Sequence, residues 1–186
     1  MLLPLGIFAQ SVATAAFPTF SAQVAAGQTA EMRHTFGQAL RTVLFVELPA
    51  ATGLFIFGAA LVGVLLERGA FTEESTLMVA YALQFYAIGL AAHGALEIVV
   101  RAFYALHDTW TPVVAGIATM VLNIVLSLLL IGPLSFGGLA LSSSLAVIIE
   151  TLLLLFLLRR RMGGIEGRRL LAAVVRAGVA CIGMGM

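Results

Sequence analysis

Charge in this chain comes in short clusters, and between the clusters lie long stretches with almost none. An α-helix needs about 20 mainly apolar residues to cross the hydrocarbon of a bilayer. Six stretches meet or approach that length, at about 2–26, 42–66, 76–100, 111–132, 137–158 and 170–186, the last running short. The composition is 61% hydrophobic and 10% charged, against roughly 45–50% apolar in soluble domains. A water-soluble core of this size could not hide so much apolar surface, so lipid is the main solvent. The sequence therefore predicts an all-α integral membrane protein. It would be a polytopic helical bundle of about five complete transmembrane helices plus a truncated sixth, in one transmembrane domain over 1–186. Pro18, Pro49, Gly53 and Gly58 fall inside the segments, where membrane helices tolerate them.

The first segment has no positively charged start, and Gln10, Ser11 and Thr14 interrupt it. It reads as a membrane helix rather than a secretory signal. Apolar sequence at both ends, "MLLPLGIF" and "GVACIGMGM", leads us to expect a piece of a longer membrane protein. A net charge of +1 gives no electrostatic case for nucleic acid. The single cysteine, Cys181, offers neither an internal disulfide nor a metal pattern. No HExxH, P-loop or GxSxG string is present, so enzymatic chemistry is not expected.

The connectors give orientation. "GQTAEMRHTFGQALR" carries Arg33 and Arg41, while "ERGAFTEES" sets one arginine against Glu67, Glu73 and Glu74. "RAFYALHD" carries Arg101, "GPLSFGG" has no charge, and "RRRMGGIEGRRL" has five arginines. By the positive-inside rule the first, third and fifth connectors face the cytoplasm. "RAFYALHDTWTP" is then a cytoplasmic turn, with Tyr104 and Trp110 at the interface. The next helix starts over Thr109–Pro112, where proline costs little.

Polar residues inside the segments are the candidate functional groups. His93, Glu97 and Arg101 are spaced four and four, with Tyr86 near the same stripe, and Glu97 precedes Arg101 in the favourable order for a pair. Both a self-satisfied interfacial ladder and a substrate or proton site fit this pattern. Glu47 can snorkel or pair with Arg41. Glu150 lies seven residues after Ser143, and Asn123 and Ser127 share a face. These groups read either as glue between adjacent helices or as a polar cluster between the fourth and fifth segments that holds a cation or substrate. Ser11, Thr14, Pro18 and Ser21 form a stripe that suits a cavity-lining helix and also close helix packing. Ser11, Thr14, Ser21, His93, Glu97 and Arg101 are the candidate substrate-cavity residues.

Four strings in order, "LPLGIFAQSVATAAFPTFSAQ", "LLERGAFT", "RAFYALHDTWTPV" and "GGLALSSSLA", resemble the MurJ/MviN lipid II flippases of the multidrug/oligosaccharidyl-lipid/polysaccharide exporter superfamily. The resemblance implies part of the C-terminal lobe of a fourteen-helix, MATE-like fold, matching helices eight to twelve and part of thirteen. It implies translocation of undecaprenyl-pyrophosphate-linked peptidoglycan precursor from the inner to the outer leaflet by alternating access. The setting would be the bacterial inner (plasma) membrane, with membrane lipids and the missing N-terminal helices of the same protein as partners and no cofactor. The family's cavity arginines fall outside this chain. Some members hold sodium with an aspartate on helix seven, an Asn and an Asp four apart on helix eleven, and a helix-twelve hydroxyl. Asn123 matches that Asn, Ser127 stands where the Asp would be, and Ser143 matches the hydroxyl. With both carboxylates missing, coupling to sodium or to membrane potential is unsupported by these residues, since hard cations favour charged oxygen ligands. Two other readings stay open. One is an exporter of the same fold for another polyprenyl-linked glycan or an amphipathic drug. The other is a non-transporting membrane scaffold.

Overall fold

A computed structural model describes residues 8–66 and 73–164. Among these residues there is no strand; the chain forms helices α1 (Gln10–Ala25), α2 (Thr29–Leu66), α3 (Glu73–Ala105), α4 (Trp110–Leu134) and α5 (Phe136–Arg161). The last four are long and apolar enough to cross a membrane. α1 has 16 residues within the described part. The segment expected at 170–186 lies outside the described residues.

Two connectors differ from expectation. The first was expected to run to residue 41, yet the helix resumes at Thr29 after a break of only 26–28. The reason is an apolar stripe hidden among its charges: Met32, Phe36, Ala39, Leu40 and Val43 recur at helical spacing and all are buried. α2 therefore has 38 residues, about 57 Å at 1.5 Å each, well beyond a hydrocarbon core of about 30 Å. The fourth connector shrinks to Ser135 alone, at φ 47°. Gly138 makes this sharp reversal feasible, because any Cβ there would run into the Leu130 carbonyl.

α1, α3 and α5 end in the same way. Gly27, His107 and Gly163 adopt φ of 71°, 58° and 70°. The next amide in each case donates to the carbonyl five residues back, from Gln28 to Gln23 at 2.9 Å, Asp108 to Phe103 at 3.0 Å and Gly164 to Arg159 at 2.9 Å. This is the Schellman ending, which glycine adopts freely and histidine only at a cost. The three ends lie together. Arg33 Nη1 donates to the Gly163 carbonyl at 3.5 Å, and Arg161 Nη2 reaches Asp108 Oδ2 at 2.8 Å. Connectors one, three and five, which the arginine pattern assigned to one side, thus share one end of the bundle.

The core is densest at that end, where Phe20, Met32, Phe36, Ile98, Phe103, Leu154 and Leu158 are fully buried. α3 is the hub, packed on α1, α2 and α5, whereas α4 leans almost wholly on α5 and barely meets α3. Small residues and hydroxyls close the α3–α5 seam. Ser144 Oγ donates to the Phe85 carbonyl at 2.7 Å, Thr151 Oγ1 to the Ala92 carbonyl at 3.0 Å, and Gly89 faces Ser144 with no room for a Cβ. In lipid, such contacts replace the hydrophobic drive that water would supply.

Candidate functional site: a polar cleft between α3, α4 and α5

Because α3 and α4 both pack on α5 but hardly on each other, a cleft opens between them. One compartment, about 440 Å³, is lined by Tyr86 and His93 of α3, Gly116, Thr119 and Asn123 of α4, and Ser143 and Glu150 of α5. A second, about 380 Å³, shares Tyr86, Asn123 and Ser143 and adds Ser127. The two form one continuous cleft along membrane-spanning helices. A polar interior here is costly unless it faces water or a ligand. Among the described lining residues Glu150 is the one acid, His93 is the one imidazole and there is no arginine. Glu150 has room because Gly116 faces it: a Cβ there would sit 3.6 Å from Glu150 Oε1.

The sequence-derived candidates are redistributed. His93 enters the cleft and is joined there by Asn123, Ser127 and Ser143. Glu97 and Arg101 form the intrahelical ion pair, with Arg101 Nη1 also donating to the Glu97 carbonyl at 3.2 Å. Ser11 and Thr14 line a separate open groove on α1; both are exposed, Ser21 is half-buried, and the buried face of α1 is Ala9, Ala13 and Phe20. That polar stripe is not the one α1 packs with. Glu47 neither snorkels nor hydrogen-bonds Arg41: it is wholly buried with both oxygens unpartnered.

The candidate cation residues can be tested as a cradle. Ser127 Oγ donates to Asn123 Oδ1 at 3.2 Å and meets Ser142 Oγ at 2.7 Å. Ser143 Oγ donates to the Leu139 carbonyl of its own helix at 3.1 Å. The set is neutral, its amide oxygen already accepts a bond, and it includes no carboxylate. It does not fit sodium well. Sequence reasoning missed Thr119, Gly116 and Ser142. Thr119 was detectable, since it lies four residues before Asn123 on the same face. Ser142 was not, because a run of three serines does not say which one meets α4.

Comparisons with known proteins agree with this architecture. The family described as "Lipid II flippase MurJ" matches residues 1–186. The chain is similar to a "Probable lipid II flippase MurJ" of Rhizobium meliloti (strain 1021), 32% identical over 150 residues, covering 81% of this chain and 28% of that protein. It is also similar to "Lipid II flippase MurJ" of Thermosipho africanus (strain TCF52B), 32% identical over 154 residues, covering 81% of this chain and 31% of that protein. Among solved structures it is similar to "Lipid II flippase MurJ, inward closed conformation". That match has a TM-score of 0.84 and 28% identity, and covers 97% of this chain and 37% of the other. The chain thus spans less than a third of the length of these two curated relatives. Its apolar helices and this kinship make it a multi-pass protein of the bacterial inner membrane. It belongs to the lipid II flippase MurJ family of membrane transporters.

Proposed function

We propose that these helices form part of one lobe of a lipid II flippase that carries undecaprenyl-pyrophosphate-linked peptidoglycan precursor from the inner to the outer leaflet. The lobe would work by alternating access, with further helices supplying the opposing wall. It would use no cofactor and perform no covalent chemistry. The observation that carries this reading is the polar cleft at membrane depth, set within a fold that matches a MurJ structure over 97% of the chain. Among the described residues no arginine lines the cleft, so the charges that neutralise a pyrophosphate would come from outside these helices, where guanidinium forks suit that task. The exposed Ser11–Thr14 stripe of α1 is a second polar wall available to the same substrate path. No sodium step is assigned, because Asn123, Ser127 and Ser143 make a poor cradle.

Grafting tests the reading. The 186 residues replace the matching segment of the Thermosipho protein, and lipid II translocation is measured in proteoliposomes. Translocation above empty liposomes is the expected result. A chimera that inserts at normal level but moves no lipid II would refute the assignment.

A further inference from the structure

Glu47 is the group that the cleft leaves unused. It is wholly buried on α2, and neither carboxylate oxygen has a hydrogen-bond partner among the described residues. The carboxyl group lies on Gly94 of α3, so close that any side chain there would occupy the same space. The nearest donor, the Gly94 amide, lies inside α3 and serves the helical carbonyl four residues back. Few charges face this point. α1, packed against both helices, carries no titratable residue. On α2, Arg41 turns back toward Gly37, where a Cβ would lie 3.9 Å from its Nη2. On α3 the facing group is Glu97, which is held by Arg101, while His93 lines the cleft.

No side-chain donor among the described residues meets this carboxyl group, and only the Gly94 backbone lies against it. A carboxyl group shut in this way can hold a proton in place of a counter-ion. We propose that Glu47 is a proton-binding site inside the α2–α3 seam: protonated, it lets α2 close on Gly94, and deprotonated, it forces the seam open toward water. This site goes beyond the transport reading and stands without it.

Infrared spectroscopy of the 186-residue chain in phosphatidylcholine bilayers tests it directly. At neutral pH the wild type shows a protonated-carboxyl C=O band, which Glu47→Gln removes and Glu97→Gln leaves in place. A band that is missing, or that survives Glu47→Gln unchanged, overturns the proposal. Should Glu47→Gln fail to fold, the wild type still decides, since a chain showing no such band refutes the site.

Discussion

Ser143 and Ser144 are adjacent on α5, and Glu150 and Thr151 repeat that adjacency two turns later. Ser144 and Thr151 are buried and spend their hydroxyls on carbonyls of α3. Ser143 and Glu150 face the cleft. One residue of rotation, about 100°, separates glue from a candidate site. Residue type does not make the difference, since a serine stands on each side. What matters is whether a neighbouring backbone lies opposite, and it does where α3 packs and does not where α4 swings away from α3.

The sharpest way to break this comparison is to ask whether water reaches one face only. In a Cys181→Ser background, a cysteine at Ser143 should react with a small water-soluble thiol reagent at least about ten-fold faster than one at Ser144, because thiol reactivity follows access. Equal rates would mean that the cleft is closed or that the seam is wet.

Glycine substitutions come next in size. A Cβ at Gly89 would lie 2.7 Å from Ser144 Oγ and 2.9 Å from Ser144 Cα, so backbone must move. Gly89→Ala should therefore cost about 1–3 kcal/mol, the usual penalty of overpacking. Gly116→Ala faces only an ordinary contact with Glu150. It should be neutral or stabilise by up to about 1 kcal/mol through helix propensity. Unfolding titrations in mixed detergent micelles measure both, and similar losses for the two would erase the distinction between seam and cleft.

Hydroxyl removal refines the same contrast. Thr151→Val deletes the bond to Ala92 with little change of shape and should cost about 0.6 kcal/mol, at most about 1.7. The loss is modest because the Ala92 carbonyl keeps its helical amide. Ser143→Ala removes only a bond within α5 and should fall within about 0.5 kcal/mol of wild type. A larger loss at Ser143 would show that the cleft face is structural.

The same reasoning explains what was legible in the sequence. The four long membrane-spanning helices among the described residues, the alternation of arginine-bearing connectors and the Glu97–Arg101 pair follow from local rules, namely the length of an apolar run, charge between runs and spacing of four on one helix. The start of α2 at Thr29 was obscured because Arg33 and Arg41, both half-buried, and the exposed His34 share a helix with the buried stripe Met32, Phe36 and Leu40. Charge marked the end of the membrane but not the end of the helix. The composition of the cleft was obscured for another reason. His93 belongs with Asn123 and Glu150, and apart from Glu97, only because α4 rests on α5 and not on α3. No periodicity within one helix carries that relation.

The smallest effect expected concerns what holds α4 in place. Asp108 Oδ1 accepts the Thr111 backbone N–H at 3.0 Å and its Oδ2 accepts the Thr111 hydroxyl at 2.5 Å, an N-terminal cap by function. Arg161 closes the link to α5 at 2.8 Å. The Thr111 hydroxyl first, then the Thr111 backbone N–H and the Arg161 charge, hold the Asp108 carboxyl below its usual range. A carboxyl depressed in this way contributes stability above the unfolded value of about 3.9 and loses it as pH falls through the lower folded value. Asp108→Asn keeps an acceptor for the cap and drops the ion pair. Because Arg161 is 52% exposed, the neutral-pH loss should stay below about 1 kcal/mol. Melting curves of wild type and variant should begin to converge below about pH 3.9 and meet only once pH has fallen through the depressed folded value, where the wild-type carboxyl also loses its charge. Curves that stay parallel into acid would mean that the end tie does not hold α4. The contact of Ser127 with the buried Ser142 would then be what sets its position, and the polar face of α4 would carry structure as well as line a site.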